Sequence, residues 1–406
     1  MKRIVFTILM IGPLPGFAAE KTLDLQQILA LALTQSPSVK AKLAEAEISQ
    51  AQMQQLGLIE SPQLGGGVLF PINSPRAQVG YEVRLTFNLM DLIQLPARKK
   101  FGQAEYEKRK WEIASDVLQI LTTIKISYYE YQALLQLKML WKSSLDTVKS
   151  MSDLSSAQRK AGNISELENA QQLAFTKMAQ LELSKVENQI KQERIELAKW
   201  AGLDVHESSW EIMARLPALP GHLPELEALK EQAQKYRPYT LAHRKKVESS
   251  KRSVELARLG VFPRINLGVS SEWDVEGNWG IGPVLQFGIP FLGHQSANLR
   301  KARAELNANQ LELSAVEQNT PNDLERFYEQ LSLSSQMVRF YQSDVLPLQE
   351  RILKESLKHY NYMLIGNFQL LMNKQNQIHA QKESILELKN YWIANAELEN
   401  LTGGPQ

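Results

Sequence analysis

The residues that most often carry metal or acid–base chemistry are few and widely spaced in this sequence. The six histidines are His206, His222, His243, His294, His359 and His379. No two of them stand three to five residues apart, the usual spacing of two ligands of one zinc ion. The chain has no cysteine, which excludes thiolate ligands, thiol nucleophiles and disulfides. We therefore predict that the protein is not an enzyme and has no metal and no cofactor.

Two weaker patterns have structural explanations. Met151, Met363 and Met372 carry the soft sulfur that suits copper, but methionine more often fills gaps in a core. Gly65-Gly66-Gly67 is similar to a phosphate loop but lacks the Lys-Ser/Thr pair and the helix that should follow it. We interpret the glycine run as part of a strand.

Composition excludes several classes of protein. The 406 residues include 46 Lys and Arg against 44 Asp and Glu, so no excess of basic charge indicates nucleic-acid binding. The mean hydropathy of −0.29 is too low for a bundle of membrane-spanning helices. We expect no nucleic-acid partner.

The N-terminus resembles an export signal. Met1-Lys2-Arg3 is basic, the stretch from Ile4 to Phe17 is mostly apolar, and Gly16-Phe17-Ala18 offers a small-x-small cleavage site. A membrane anchor is the alternative, but the apolar run is too short to span a bilayer. We predict a signal peptide at 1–18 and an exported mature protein.

Two sets of landmarks have the same internal spacing. They are Pro37, Pro62 and Gly202, and Pro238, Pro263 and Gly403. In each set the prolines are 25 residues apart, and the glycine follows the first proline by 165 residues. A period this long indicates duplicated domains, because solenoid repeats are far shorter. We predict a first repeat at 19–203, a connecting segment at 204–225 and a second repeat at 226–406.

The pattern of apolar residues predicts long helices in each repeat. Apolar residues alternate at spacings of three and four at Ala114, Val117, Leu121, Ile124, Tyr128, Tyr131 and Leu135. This heptad pattern indicates a helix from Phe101 to Ala161 that winds around partners and would be roughly 90 Å long. Gly162-Asn163 should end it, and Ser165 with Glu168 should cap the next helix, which runs to Trp200.

The second repeat follows the same plan, with shorter first helices in both copies. We predict helices at 37–58 and 238–259, a long helix from about Ser296, a break near Gly366 and a helix from Phe368 to Leu401. Pro321 and Pro347 should bend or break the long helix, since each removes an intrahelical hydrogen bond.

Four segments predict amphipathic strands, at about 62–71, 79–91, 263–273 and 279–291. Their alternating apolar and polar residues and their length of about ten residues are typical of a transmembrane barrel wall. Tyr81, Trp273 and Trp279 stand where aromatics contact the membrane interface. The alternative is a soluble hairpin with one buried face. The basic run Arg98-Lys99-Lys100 is then a solvated junction just below the membrane.

Four strands cannot close a barrel, and lipid does not tolerate an open sheet edge. Two chains would supply 8 strands, a barrel filled by side chains, whereas three supply 12 and leave a lumen. We therefore expect a homotrimer embedded in lipid. The polar side chains that would face the lumen are Glu82, Arg84, Asn88, Arg264, Asn266 and Gln286.

Several of these features together resemble the TolC-type outer-membrane factors. They are Leu23-Asp24-Leu25, the Leu-Ala-Leu before Ser36-Pro37, the Leu-Gly and Pro that open the strands, the turn Gly162-Asn163-Ile164-Ser165 and the duplicated helix–hairpin–helix plan. The resemblance implies a mainly α fold with a transmembrane β part, in which a trimer shares a 12-stranded barrel in the outer membrane and a long α-helical barrel in the periplasm. It also implies a passive exit duct, joined by a periplasmic adaptor to an inner-membrane transporter.

The resemblance also implies a gate at the helical turns around Gly162 and Gly366. The family carries acidic residues near the second turn, where this chain has Gln369 and Met372. Glu166 and Glu168, after Ser165, could supply charge at the first turn instead, or could simply favour the helix N-terminus. The stretch 362–371 is similar to a heavy-metal, especially copper, export branch.

Three alternative functions use parts of this pattern. Type I protein secretion uses the same kind of duct as efflux of heavy metals or drugs, and the sequence does not separate them. A soluble periplasmic coiled-coil adaptor would keep the helices but has no use for the strands. An exported hydrolase would need convergent His, Asp and Ser residues that spacing does not indicate.

Overall fold

A computed structural model describes residues 21–70, 79–204, 210–288 and 294–404. The predicted signal peptide, the loop after the first strand and the last residues of the fourth predicted strand lie outside this part of the chain. The described residues form two compact units. The first unit lies within Met1–Pro37, Thr123–His222 and Gln330–Ala396, and the second within Ser38–Thr122, Leu223–Glu329 and Glu397–Gln406.

Helices dominate the chain. They are α1 (Leu25–Gln35), α2 (Pro37–Leu56), α3 (Leu89–Lys160), α4 (Glu166–Ala201), α5 (Leu226–Tyr236), α6 (Pro238–Leu259), α7 (His294–Phe340), α8 (Leu346–Asn361) and α9 (Asn367–Thr402), with a π-helical segment at Tyr341–Val345. The strands are β1 (Lys21–Leu23), β2 (Gln63–Leu69), β3 (Gly80–Asn88), β4 (Trp210–Ile212), β5 (Ile265–Trp273) and β6 (Trp279–Phe287). No helix among the described residues is long and apolar enough to cross a bilayer.

The second unit contains a four-stranded antiparallel sheet in the order β2-β3-β5-β6. All four strands lie inside the predicted segments. β3 ends at Asn88 rather than near residue 91, because Asn88 Oδ1 accepts a hydrogen bond from Met90 N (3.0 Å) and so caps α3. The predicted lumen residue Asn88 therefore stands at the strand–helix junction.

The basic run does not form the predicted solvated junction, because α3 already begins at Leu89 and includes it. Pro96 is the eighth residue of α3, where its missing N–H leaves the carbonyl of Leu92 without the usual intrahelical hydrogen bond. The side chain of Arg98 is 15% exposed, and its Nη2 donates to Asp91 O at 3.1 Å. Arg98 therefore stabilises the first turns of α3, and only Lys99 and Lys100 are exposed.

The two prolines of the second repeat behave differently. α7 continues through Pro321, so of the predicted bend or break the structure excludes the break. Pro347 is the second residue of α8, and only Leu346 separates it from the π-helical segment. A proline ring clashes with the carbonyl of the preceding helical turn, and a widened π turn moves that carbonyl away.

The first unit is held by short parallel strands and a small apolar cluster. β1 pairs with β4 through Lys21–Trp210, Thr22–Glu211 and Leu23–Ile212. Val148, Phe175, Leu371 and Ile378 form a buried cluster that brings α3, α4 and α9 together. These helices carry the two turns described below.

The landmark glycines end corresponding helices. Gly202 has φ 73°, and a Cβ there would lie 2.7 Å from Ser36 N. Gly403 has φ 92°, and a Cβ there would lie 2.6 Å from Tyr236 O. Each helix end packs directly on the backbone where the first two helices of its own repeat meet (α1 and α2, or α5 and α6), which only glycine permits.

Candidate functional site: the amphipathic sheet and the two helical turns

One face of the four-stranded sheet is apolar and open. Its large side chains, each at least 43% exposed, are Leu64, Val68, Tyr81, Val83, Leu85, Phe87, Val269, Trp273, Trp279, Ile281, Leu285 and Phe287. The strand register places them all on the same side. A contiguous exposed patch of this kind marks contact with a membrane or another apolar surface.

The three aromatics predicted at the membrane interface lie in one row. Tyr81 pairs with Trp273 across β3 and β5, and Trp273 pairs with Trp279 across β5 and β6. Trp279 Nε1 donates a hydrogen bond to Ser271 Oγ at 2.8 Å. The row therefore combines apolar rings with a satisfied polar atom, the combination that suits an interface.

The opposite face is polar. Arg84 Nε donates to Glu82 Oε1 at 3.1 Å, and Asn266 Nδ2 donates to Gln286 Oε1 at 3.4 Å. Arg264 precedes β5, and its carbonyl accepts from Gly288 N at 2.8 Å. Alternation along the strands puts these predicted lumen residues on one side of the sheet.

The sheet of a single chain is open, and no closed barrel is seen in the described residues. β2 and β6 are its edges, each with one neighbour. Three antiparallel pairings separate them, so β2 and β6 run in opposite directions. A β2 edge and a β6 edge from two copies could therefore join as antiparallel neighbours.

The first helical turn connects α3 to α4. Gly162 has φ 79°, and Ser165 caps α4. Glu168 N donates to Ser165 Oγ at 3.2 Å, and Glu168 Oε2 accepts from Ser165 N at 2.9 Å. Glu166 pairs with Arg159 (Oε2 to Nε, 2.8 Å). Both carboxylates therefore have partners within their own hairpin.

The second turn connects α8 to α9 and lies at the break predicted near Gly366. Its left-handed residue is Met363, with φ 59°, while Gly366 has no positive φ. A methionine in this conformation is strained. Tyr362, Met363 and Leu364 are 74%, 93% and 68% exposed. This turn therefore carries a local apolar surface.

The two turns lie beside each other in the first unit. Gln158 Nε2 donates to Tyr360 Oη (3.2 Å), and Gln158 Oε1 accepts from Asn367 Nδ2 (3.1 Å). A Cβ added at Gly366 would lie 4.0 Å from Glu168 Oε1. Gln158 thus ties α3 to both helices of the second hairpin; we name this set of contacts the Gln158 clamp.

The other residues predicted near the second turn are exposed on α9. Gln369 Nε2 donates to Asn373 Oδ1 at 3.2 Å, and Met372 is 37% exposed. Burial lowers the pKa of Lys374, whose Nζ donates to Gln377 Oε1 at 2.9 Å. In the described part of the chain, no three His, Asp or Glu side chains lie close enough to share a metal.

Sequence reasoning missed Gln158 and the conformation of Met363. A signal for the second was available, because Met363 holds the same place in the second repeat as Gly162 in the first. No local signal indicates Gln158, since its partners lie about 200 residues away in the chain.

Comparisons with known proteins agree on the fold. A family model described as outer membrane efflux protein matches residues 28–203 and again 229–404. No curated protein matches the sequence. Among solved structures, the Campylobacter jejuni CmeC outer membrane channel is similar, with TM-score 0.81, 14% identity and coverage of 94% of this chain and 85% of that chain.

Two further structures are similar over most of their length. The open state of the Neisseria gonorrhoeae MtrE outer membrane channel has TM-score 0.72 and 19% identity, covering 94% of this chain and 89% of that chain. CusC has TM-score 0.74 and 15% identity, covering 98% and 96%. These likenesses confirm the mainly helical, duplicated fold. The two family matches together cover most of the sequence, and the chain therefore belongs to the outer membrane efflux protein family, which places it in the outer membrane with an extension into the periplasm.

Proposed function

We propose that three copies of the chain form one passive duct across the outer membrane, the exit of a tripartite efflux system. A periplasmic adaptor joins the duct to an inner-membrane transporter, which supplies the energy. The observation that carries this proposal is the open sheet with one apolar face and two oppositely directed edges. Unpaired edge groups in lipid cost several kcal/mol each, so the edges need partners.

A barrel of three copies accounts for the polar face of the sheet better than a barrel of two copies. Twelve strands enclose a lumen lined by the polar face of Glu82, Arg84, Asn266 and Gln286, whereas a barrel of eight strands would be filled by side chains.

The class of substrate that passes through the duct stays a prediction. The stretch 362–371 is similar to a heavy-metal, especially copper, export branch; drugs are the other efflux class, and polypeptide secretion is the second candidate function. The exposed apolar face of the sheet disfavours a soluble adaptor.

Disulfide trapping tests the trimer, and the absence of natural cysteines gives a clean background. We expect Gly65→Cys on β2, combined in turn with Gly280→Cys, Gly282→Cys or Val284→Cys on β6, to trap a covalent trimer in at least one pair. All four positions lie on the polar face of the sheet. Three positions on β6 are tried because the register between β2 of one copy and β6 of the next is not known. The measurement is non-reducing electrophoresis of protein cross-linked in membranes. Single-cysteine variants should stay monomeric, and a ladder ending at dimers would contradict three-fold closure.

For the gate, we propose that the two turns narrow the duct and that the adaptor separates them. The Gln158 clamp holds the closed arrangement, and the exposed side chains Tyr362, Met363 and Leu364 offer the adaptor an apolar surface. Opening then requires the loss of two side-chain hydrogen bonds, a net cost of about 1–3 kcal/mol.

Removal of the clamp should open the duct. We expect Gln158→Ala to raise the open probability of single channels in planar bilayers by roughly 5- to 150-fold, because about 1–3 kcal/mol of closed-state stabilisation is lost. Gln180→Ala, at an exposed position on α4, is the matched control and should leave the channel closed. Unchanged gating in Gln158→Ala would refute the clamp.

The same recording tests where the aperture lies. Gln369→Asp introduces a carboxylate at the second turn, and Glu168→Gln removes one at the first. We expect both to alter conductance for cations, since charges at a narrow pore act strongly on passing ions. If neither does, the narrowest point lies elsewhere.

A further inference from the structure

A basic groove in the second unit has no role in the duct proposed above. It lies between α3 and α6, has a volume of about 330 Å³, and is lined by Lys99, Lys100, Gln103, Ala104, Glu107, Lys245, Glu248 and Arg252. Four cationic side chains face two carboxylates, so the groove has an excess of positive charge.

The carboxylates near the groove already have partners. Glu248 accepts from Lys245 Nζ at 2.7 Å, and this hydrogen bond holds the pKa of Glu248 below its usual value. Glu107 pairs with Lys110 at 3.2 Å. Lys99 and Lys100 have no ion pair with any residue that the structure describes. Two adjacent lysines are thus available to an external anion.

An apolar stripe leads from the sheet to these lysines along one side of α3. Leu92 and Ile93 are 43% and 51% exposed, and they precede Lys99 and Lys100 by seven residues each. Residues seven apart lie on the same face of a helix, here about 10 Å apart along the axis.

The neighbouring helix–strand junctions are also apolar. Leu58 and Ile59 follow α2 and are 65% and 53% exposed, while Phe262 follows α6 and is 59% exposed. A Cβ at Gly57 would lie 3.7 Å from Lys99 Cε, so the lysine stem runs along the end of α2. The apolar surface therefore reaches the foot of the basic groove.

We propose that this groove binds the phosphate of an anionic phospholipid in the periplasmic leaflet of the outer membrane. The acyl chains lie against Leu92, Ile93 and Phe262, and Lys99 and Lys100 pair with the headgroup. The headgroup layer is about 5–7 Å thick on each side of a bilayer, and long lysine side chains reach back toward it. The assignment rests on the proposed function to the extent that the sheet must lie in the membrane.

Native mass spectrometry of detergent-purified protein tests the proposal with phosphatidylglycerol and phosphatidylcholine as probes. We expect the wild type to retain phosphatidylglycerol in preference to phosphatidylcholine. The Lys99→Gln/Lys100→Gln double variant should bind phosphatidylglycerol about 10- to 30-fold more weakly, because each lysine near an anionic surface adds to the binding free energy. Lys149→Gln/Lys177→Gln removes the same charge from exposed positions of the first unit and should bind like the wild type.

The other outcomes overturn the assignment. Equal phosphatidylglycerol retention in the wild type and the Lys99→Gln/Lys100→Gln variant would refute the groove as the site. Competition by millimolar inorganic phosphate would assign a free phosphate site instead of a lipid site. Single-channel conductance of the same variant distinguishes the two proposals, because the duct should still conduct when the lipid is lost.

Discussion

Replacement of Val269 by lysine is expected to prevent stable insertion of the sheet into a bilayer. Val269 is the middle residue of β5, is 50% exposed on the apolar face, and is flanked in the register by Leu85 and Pro283. A lysine on the lipid side of a transmembrane strand costs about 2–4 kcal/mol near the bilayer midplane. This free-energy cost recurs in each copy of the proposed trimer, so assembly should fail even if single chains fold.

The neighbouring residue supplies the matched control. Ser270 follows Val269 directly and points to the polar face, where it pairs with Arg84 across the strands. Ser270→Lys should cost less than about 1 kcal/mol, mainly through repulsion from Arg84. The measurement is the free energy of unfolding in urea for protein refolded into lipid vesicles. If Ser270→Lys were the more damaging variant, the assignment of the two faces would be reversed.

Substitution of Gly268 by alanine should have the second large effect. A Cβ at Gly268 would lie 2.7 Å from Thr86 Cγ2 and 2.9 Å from Thr86 Cα, and it would also clash with the carbonyl of Leu85. These atoms belong to the central strand β3, whose backbone is paired on both sides and cannot move away. Overpacking of this kind typically costs 1–3 kcal/mol, and we expect about 3 kcal/mol here.

Gly282→Ala is the control for this steric prediction. Gly282 lies on the same polar face, and nothing approaches within 4 Å of the position of its Cβ. Its substitution should leave stability within about 0.5 kcal/mol of the wild type. Urea unfolding followed by circular dichroism of the sheet compares the two variants. Equal stability of both would show that β3 and β5 are not packed as closely as described.

Much of the local structure follows from the sequence. The capping box of Ser165 and Glu168 involves four consecutive residues, and the structure forms it as predicted. The alternation of apolar and polar residues in β3, β5 and β6 also marks the strands and their two faces without knowledge of any partner, because successive strand residues point to opposite sides.

The errors occurred where a local rule met a competing contact. Proline is predicted to bend or break the long helix of the second repeat, yet α7 contains Pro321 without a break. The basic run is predicted as a junction outside the helices, yet Arg98 lies inside α3 and donates to Asp91 O. The break predicted near Gly366 is present, but Met363 and not a glycine takes the left-handed conformation there.

The sequence by itself determined the mainly helical fold, the duplication and the positions of the amphipathic strands, because spacing and periodicity are properties of neighbouring residues. Only the tertiary structure decided that β3 pairs with β5, which joins the hairpins of the two repeats into one sheet. It likewise decided that Gln158 bridges Tyr360 and Asn367. These contacts connect residues some 180 to 210 positions apart. Their formation depends on packing of whole elements, which the preference of a single segment does not specify.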